Sequence, residues 1–202
     1  MKRSLVFMLL VSALALVVPF PGRLAFGIVV ILFTYLISLT LIGTKVLLQK
    51  FVFGDSEPFF MLFLTIFYTL LFKQLLCFFS PVINLTLDFT FYIIPFYVLF
   101  FFPILDEKKI DIKIDFVENL KKLSFTMFFV FIMYLLRDLV GFGTITLPFP
   151  SKILEISLFS ISCLKQTFFF TSTAFALLEV ALTLCVFACI HKKYCTVREL
   201  TK

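Results

Sequence analysis

Long apolar runs, separated by short polar breaks, dominate the chain. An α-helix needs roughly 20 mostly apolar residues to cross a bilayer. Six runs approach that length, and Pro, Gly or charged residues close each of them. The pattern predicts an all-α, polytopic integral membrane protein that forms a single transmembrane helical domain over 1–202, with six transmembrane helices at about 4–20, 24–48, 59–79, 89–105, 123–140 and 167–190.

Three stretches of this pattern allow more than one interpretation. Residues 106–122 hold five lysines and five acids and are predicted to be a charged cytoplasmic loop, in which the alternation from Ile110 to Phe116 also fits a strand or a surface segment. Residues 151–164 are too short for a span, so we expect them to be interfacial or re-entrant. The first run follows Met1-Lys2-Arg3 and also resembles a signal peptide. It continues to the prolines without a polar region, which favours a first spanning helix.

The composition agrees with a membrane protein. Hydrophobic types make up 62% of the chain, charged types 15%, and the mean hydropathy is +1.14, whereas a soluble domain is nearer half apolar and a quarter charged. This excludes a soluble enzyme domain, a disordered tail and a disulfide-stapled secreted module. Because little room remains for a soluble catalytic domain, we expect at most a non-catalytic subunit of a larger enzyme.

The positive charges predict an orientation, because Lys and Arg collect on the cytoplasmic side of membrane proteins. With six helices and a cytoplasmic N-terminus, thirteen of the 18 Lys and Arg residues fall inside and four fall outside. The remaining one, Lys73, lies within a helix, where its long stem can carry the charge to the interface. Both termini are therefore predicted to be cytoplasmic. No basic run alternates with exposed aromatics, so the expected partner is the lipid bilayer and not nucleic acid. The thirteen inside are Lys2, Arg3, Lys45, Lys50, Lys108, Lys109, Lys113, Lys121, Lys122, Lys192, Lys193, Arg198 and Lys202; the four outside are Arg23, Arg137, Lys152 and Lys165.

The cysteines and the histidine predict no metal site. The five cysteines include no CxxC motif, and His191 is the sole histidine of the sequence. Cys185 and Cys189 are one helical turn apart and could face one centre, but Cys is also a common small apolar residue in helices. Without a facing pair of ligands, the second interpretation is favoured.

Ionisable groups inside a membrane are costly and are candidates for function. Glu179 is the clearest, near the middle of the predicted last helix. Ser172 and Thr183 lie seven and four residues from it, so the three share one helix face. This polar stripe suits an ion path or a contact between helices. The plainer interpretation, which we favour, is a protonated carboxyl hydrogen-bonded to a neighbouring helix.

The most specific motif runs from Leu136 to Ile145 and reads Leu-Arg-Asp-Leu-Val-Gly-Phe-Gly-Thr-Ile. Arg137 and Asp138 can neutralise each other at the membrane boundary. Gly141 and Gly143, followed by Thr144, permit a tight turn or a close backbone approach. A helix stop with an interfacial ion pair is the simplest interpretation of these residues.

This motif, at the end of the fifth of six predicted helices, resembles the Rnf/Nqr membrane subunits, specifically the RnfE/NqrD type. Members of that family usually carry Glu where this chain has Asp138. The resemblance implies an integral membrane subunit of an ion-translocating electron transport complex in the bacterial inner membrane. It also implies other membrane subunits as partners, including a paralogue of opposite orientation.

The family holds an iron–sulfur centre with cysteines from the first and fourth helices, and this chain departs from it there. Ser12 stands where the first-helix cysteine would fall, and 89–105 has no cysteine. Since thiolates hold such clusters, we expect no cofactor in this chain and a structural or coupling role. Two alternatives stay open: a substrate-capture subunit of an energy-coupling transporter, although Ala13, Ala15 and Ala25 lack the Ala-x-x-x-Ala spacing typical of those subunits, and a membrane scaffold with no ligand.

Overall fold

The computed structural model describes residues 11–48, 57–101, 114–150, 152–158 and 172–200, and the chain is mostly helical over these ranges. The described elements, in chain order, are α1 (Leu14–Val17), α2 (Leu24–Leu48), α3 (Glu57–Phe79), α4 (Pro81–Leu87), a 3₁₀ turn (Thr90–Tyr92), α5 (Ile93–Phe101), α6 (Ile114–Phe142), β1 (Thr144–Pro148), β2 (Ile153–Ser157) and α7 (Thr173–Leu200).

In the described part of the chain, three helices are long and apolar enough to cross a membrane. They cover Leu24–Lys45, Pro58–Phe79 and Asn119–Phe142. At 1.5 Å per residue each is about 33–36 Å long, which matches a hydrocarbon core of roughly 30 Å. The helices α4 and α5 together make a fourth candidate, bent by 72°. The described part of the chain is therefore mostly helical and has three continuous helices that could span a membrane, compared with the six spans that the sequence pattern predicts.

The helix predicted over 89–105 corresponds to a helical segment at Thr90–Phe101, and 102–105 lie outside the described residues; the structure differs in forming another helix at Pro81–Leu87, between the predicted helices over 59–79 and 89–105. The helix α4 begins with Pro81, and a 3₁₀ turn separates it from α5. The 72° bend lies between Leu87 and Thr90. Pro95 favours a 3₁₀ turn before α5, because in an α-helix its ring would clash with the carbonyl of Phe91. In α5 Pro95 instead occupies the first turn, where a backbone N–H has no helical partner.

The charged loop predicted over 106–122 is also shorter in the structure. The helix α6 starts at Ile114, nine residues before the predicted start at 123. Asn119, Leu123 and Met127 are spaced four apart and are all buried, so this part forms one buried helix face with its lysines on the others. The alternation from Ile110 to Phe116, which also fitted a strand, is overridden by this helical spacing from Ile114 onward. Residues 106–113 lie outside the described ranges.

The all-α prediction misses one β-hairpin, formed by β1 and β2. The strands pair antiparallel, with Thr144 opposite Ser157 and Pro148 opposite Ile153. The segment 151–164, predicted to be interfacial or re-entrant, therefore contributes a strand over 153–157, and 159–164 lie outside the described residues. The signal in the sequence was the alternation of Thr and aliphatic residues, followed by a proline-containing turn.

The two end helices also differ from the predicted bounds. Over the described residues the first helix stops at Val17 and not at 20, because Pro19 and Pro21 cannot continue it; residues 4–10 lie outside the described part. The last helix is described from Thr173 to Leu200, whereas the prediction was 167–190. Glu179 consequently lies in the second turn of α7 and not near a helix centre.

The helix α2 is the central element. It packs against α3, α5, α6 and β1, and Val30, Ile37 and Leu41 on it are fully buried. In contrast, α3 lies at the edge of the group of helices. Only 11% of its most apolar stretch is buried inside the protein, compared with 61% for α2. Hence α2 lies at the centre of the core, whereas most of the apolar surface of α3 is exposed at the outside of the protein.

Candidate functional site

The candidate site lies at the α1–α2 corner, which we define as residues 18–23. Pro19 and Pro21 end α1 there, and Pro21 has no N–H to offer the carbonyl of Val17, its partner in a continued helix. A helix end leaves carbonyl groups without internal partners, and the next helix begins with free N–H groups. Phe20 and Gly22 in the corner are buried and its other residues are partly buried, so these backbone groups need partners from elsewhere in the protein.

Side chains of α6 satisfy the carbonyls at the end of α1. The Nη1 atom of Arg137 donates to the carbonyl oxygen of Val17 at 2.8 Å and to that of Phe20 at 3.4 Å. One turn earlier on α6, the Tyr134 hydroxyl donates to the carbonyl of Leu16 at 2.7 Å. A cation at a helix C-terminus also complements the negative end of the helix dipole. Arg137 is therefore a C-terminal cap supplied by a distant helix.

The next residue of α6 caps the start of α2. Asp138 Oδ2 accepts the backbone N–H of Leu24 at 3.1 Å and the N–H and hydroxyl of Thr146 at 2.8 and 2.7 Å. Thr146 Oγ1 in turn accepts the N–H of Ala25 at 3.0 Å. A carboxylate at the N-terminus of a helix is stabilised by the free N–H groups and by the positive end of the dipole. Asp138 and Thr146 thus act as the N-cap of α2.

We call Arg137 and Asp138 the capping pair. Each is 1% exposed. Both were candidates from the sequence, which predicted that they neutralise each other as an ion pair. The structure gives them separate hydrogen-bond partners: carbonyls of the α1 end for Arg137, and N–H and hydroxyl groups of α2 and β1 for Asp138. Two adjacent residues with opposite charges therefore secure the two opposite helix ends that meet at the corner.

The remaining residues of the sequence motif turn the chain from α6 into the hairpin. Gly141 is buried in the last turn of α6. Gly143 has φ 64°, a conformation that favours glycine, and its carbonyl accepts the N–H of Leu158 at 3.0 Å. Thr144 then donates its hydroxyl to Asp138 Oδ1 at 3.1 Å. The motif is therefore a folding unit that returns β1 to the carboxylate of Asp138.

Glycine also lets α2 approach α6 closely below the corner. A Cβ atom on Gly27 would lie 2.4 Å from Cγ of Tyr134, and one on Gly22 would lie 3.0 Å from Nε of Arg137. The first distance is far inside van der Waals contact. Gly27 therefore admits the Tyr134 ring that caps α1, and Gly22 leaves space for the guanidinium.

The outer side of the corner is closed by the hairpin. Arg23 forms an ion pair with Glu155 on β2, and its guanidinium lies 4.9 Å from the centre of the Phe142 ring. Both partners of the ion pair are partly exposed, so the pair contributes about 0–1 kcal/mol. This ion pair links the hairpin to the corner at the protein surface. The hydrogen bonds of Asp138, in contrast, are buried.

The three intramembrane candidates lie on α7 or directly before it, and their polar groups have different surroundings. The Ser172 hydroxyl accepts the N–H of Phe175 at 3.3 Å at the start of α7, and Thr183 donates to the carbonyl of Val180 at 2.8 Å. Both hydroxyls are thus engaged with their own helix. Glu179 is 6% exposed, and in the described part of the chain neither of its carboxyl oxygens has a hydrogen-bond partner. It interacts electrostatically with Arg137.

The residues at the position of the family's iron site do not fit an iron–sulfur centre. Ser12 Oγ donates to the hydroxyl of Tyr97 on α5 at 3.4 Å, and both side chains are buried. Thr126 of α6 also hydrogen-bonds with Tyr97. These donors are neutral hydroxyls, whereas such clusters are held by thiolates. This polar cluster therefore joins the segment before α1 to α5 and α6 by hydrogen bonds.

The other sequence candidates lie apart from the corner. Cys185 and Cys189 are free and exposed, and among the described residues no group of three or more His, Cys, Asp or Glu side chains could hold a metal ion. The side chains of Cys163 and Cys195 lie outside the described part. Lys73, expected to extend to the interface, pairs with Asp88, and its Nζ lies 5.0 Å from the centre of the Tyr92 ring.

Comparisons with models of protein families, with curated proteins and with solved structures found no match for this chain.

Sequence reasoning missed several residues that surround the corner. Thr146 was detectable in principle, since it follows Thr144 at strand spacing and so points to the same face of β1. Tyr134 lies four residues before Asp138 on α6, one turn away. Gly27 gave no signal, because only the tertiary structure shows which side chain its missing Cβ accommodates.

Proposed function

We propose that this chain is a structural or coupling subunit of a membrane complex related to the Rnf/Nqr ion-translocating electron transport complexes, in the bacterial inner membrane. The observation that carries the proposal is the position of the motif Leu136–Ile145, the stretch on which the resemblance depends. Its Arg137, Asp138, Gly143 and Thr144 are all engaged in the buried corner. A plain helix stop would not need these residue types together, which supports reading the motif as a family feature.

A subunit role is also supported by the surface of α3. Large apolar side chains are exposed along the helix, including Phe59 at 75%, Phe63 at 70% and Phe78 at 87%. In a bilayer this surface meets lipid or other apolar helices. Because so little of this helix is buried within the protein itself, its apolar side is available for a lateral contact with another subunit of a larger assembly.

The proposal is tested by purification of the protein at its native expression level in a mild detergent. We expect it to co-purify with other membrane subunits, including a related chain of opposite orientation, and with redox cofactors that are bound by those partners. Recovery of the chain alone, from membranes in which cross-linking before solubilisation also yields no partner, would contradict the proposal. Co-purification with an ATP-binding transport module would instead favour the substrate-capture alternative.

We further propose six membrane crossings with both termini cytoplasmic. The charge asymmetry supports this orientation, and so do contacts between segments that it assigns to the outer side. Arg23 pairs with Glu155, and the Ser80 hydroxyl donates to the carbonyl of Phe149 at 3.4 Å. Three breaks that are distant in sequence therefore meet at one end of the helices, as six crossings require.

Single cysteines placed in a cysteine-free background test this topology. Cysteine at Lys152 on the hairpin should react with an impermeant maleimide in intact cells, whereas cysteine at Lys50, at Lys109 or at Lys202 should react only after the membrane is permeabilised. Labelling at Lys202 in intact cells would indicate an odd number of crossings and would overturn the assignment.

A further inference from the structure

Glu179 has a buried carboxyl group that takes no part in the capping interactions. It is 6% exposed, and both its oxygens lack hydrogen-bond partners among the described residues. Its buried neighbours along α7, Ala176 and Val180, are apolar. An isolated ionised carboxylate is very costly in such surroundings, so the group either gains a cation or stays neutral.

The charges around Glu179 can be counted from the elements that pack against it. The helix α7 contacts α1 and α6. Residues 11–20, which include α1, carry no titratable side chain. The helix α6 brings Arg137, whose charge acts on Glu179, together with Tyr134 and Asp138; α7 itself has Cys185 as its nearest titratable neighbour. Of these groups, Arg137 carries the charge opposite to that of an ionised Glu179, whereas Asp138 adds a second negative charge at the next position of α6.

The location of Glu179 gives it a short path to water. It lies six residues after the first residue of α7, which is about 9 Å along the helix axis. The same end of the protein carries the α1–α2 corner and the hairpin, where Arg23 and Glu155 are partly exposed. A proton can therefore reach the carboxyl from the hairpin side without crossing the whole membrane.

We propose that Glu179 is a proton-binding site of this membrane domain, open to the aqueous phase on the hairpin side. In the proton-loaded form the carboxyl is neutral within its apolar surroundings. On release, the O–H bond breaks, the proton passes to water, and the remaining carboxylate is stabilised by the nearby charge of Arg137. Glu179 would bind a proton in this way whether or not the chain belongs to a redox complex.

A bound proton fits these surroundings better than a metal ion. A hard cation takes six or more oxygen ligands, whereas the hydroxyls of Ser172 and Thr183 bind backbone groups of their own helix. A proton needs a single oxygen atom.

Dicyclohexylcarbodiimide tests the proposal, because it enters apolar regions and reacts with protonated carboxyls. The acid proton passes to a carbodiimide nitrogen, the carboxyl oxygen bonds to the central carbon, and rearrangement gives a stable N-acylurea. The full-length protein in liposomes should form this adduct at Glu179, as mapped by mass spectrometry of its peptides. Labelling should fall with rising pH, by about tenfold per unit once the proton is lost.

Two controls come from the chain itself. Glu179→Gln should abolish the adduct and leave a folded protein, because glutamine has the same shape. Asp138 is equally buried but accepts hydrogen bonds from four donor groups, so it should stay unlabelled. The proposal is overturned if Glu179 of the folded protein does not react, if its labelling does not change with pH, or if Na⁺ or K⁺ at constant pH protects it, which would indicate a metal-ion site.

Discussion

Gly27→Ala is expected to prevent stable folding or to reduce stability by about 3 kcal/mol, the upper end of the usual cost of overpacking a core. The added Cβ would lie 2.4 Å from Cγ, 2.5 Å from Cδ2 and 2.7 Å from Cβ of Tyr134. These atoms belong to the base of the side chain and cannot swing aside. The ring is fully buried, and its hydroxyl is held by the carbonyl of Leu16. The clash must therefore separate α2 from α6.

Gly43→Ala is the matched control, because Gly43 lies on the same helix and a Cβ there meets nothing within 4 Å. Replacing a glycine in a helix interior by alanine stabilises by about 0.5–1 kcal/mol, so this variant should be neutral or more stable. The measurement is the temperature at which a C-terminal fluorescent fusion loses its monodisperse peak in size-exclusion chromatography. Equal behaviour of the two variants would mean that α2 and α6 are not in close contact at Gly27.

A second substitution can establish the cause of the loss. Tyr134→Leu in the Gly27→Ala background removes the ring atoms that the new Cβ would meet, at the expense of the hydrogen bond to Leu16. The double variant should therefore be less damaged than the sum of the two single variants, since residues in contact deviate from additivity. Strict additivity would point to an effect of Gly27 that does not involve Tyr134.

Asp138→Ala is expected to destabilise the protein by about 3–5 kcal/mol, the range for removing one member of a buried charged network. It leaves the N–H groups of Leu24 and Thr146 and the hydroxyls of Thr144 and Thr146 without their acceptor. Each buried donor left unsatisfied costs about 1–3 kcal/mol. Asp138→Asn should cost less, because its amide oxygen can still accept the bonds now made by Oδ2 while its NH₂ group donates to the Thr144 hydroxyl. The same chromatographic assay measures both.

The relation between Arg137 and Asp138 is tested by Arg137→Gln, Asp138→Asn and the double variant. If the pair served to neutralise itself, the double variant would be less harmful than the worse single one. The structure gives the two residues separate partners at two helix ends, so the double variant should be more harmful than either single one. Recovery of stability in the double variant would support the simple ion pair that the sequence suggested.

The sequence predicted the apolar helices that could cross a membrane, including the central helix of the fold. Composition and run length are sufficient for this, because a bilayer imposes one length and one polarity on any crossing helix. The helix predicted over 24–48 coincides with the observed Leu24–Leu48. The sequence also singled out Arg137, Asp138, Gly143 and Thr144, because two adjacent charges and two glycines are unusual at the end of an apolar run.

The tertiary structure decided what those residues do. The Asp138 side chain accepts the backbone N–H of Leu24, 114 positions away, and Arg137 donates to Val17, 120 positions away. Periodicity along a chain carries no information about which distant backbone groups lack partners. The physical reason is common to both residues: buried backbone groups must find partners, and only the packed chain determines which side chains can reach them.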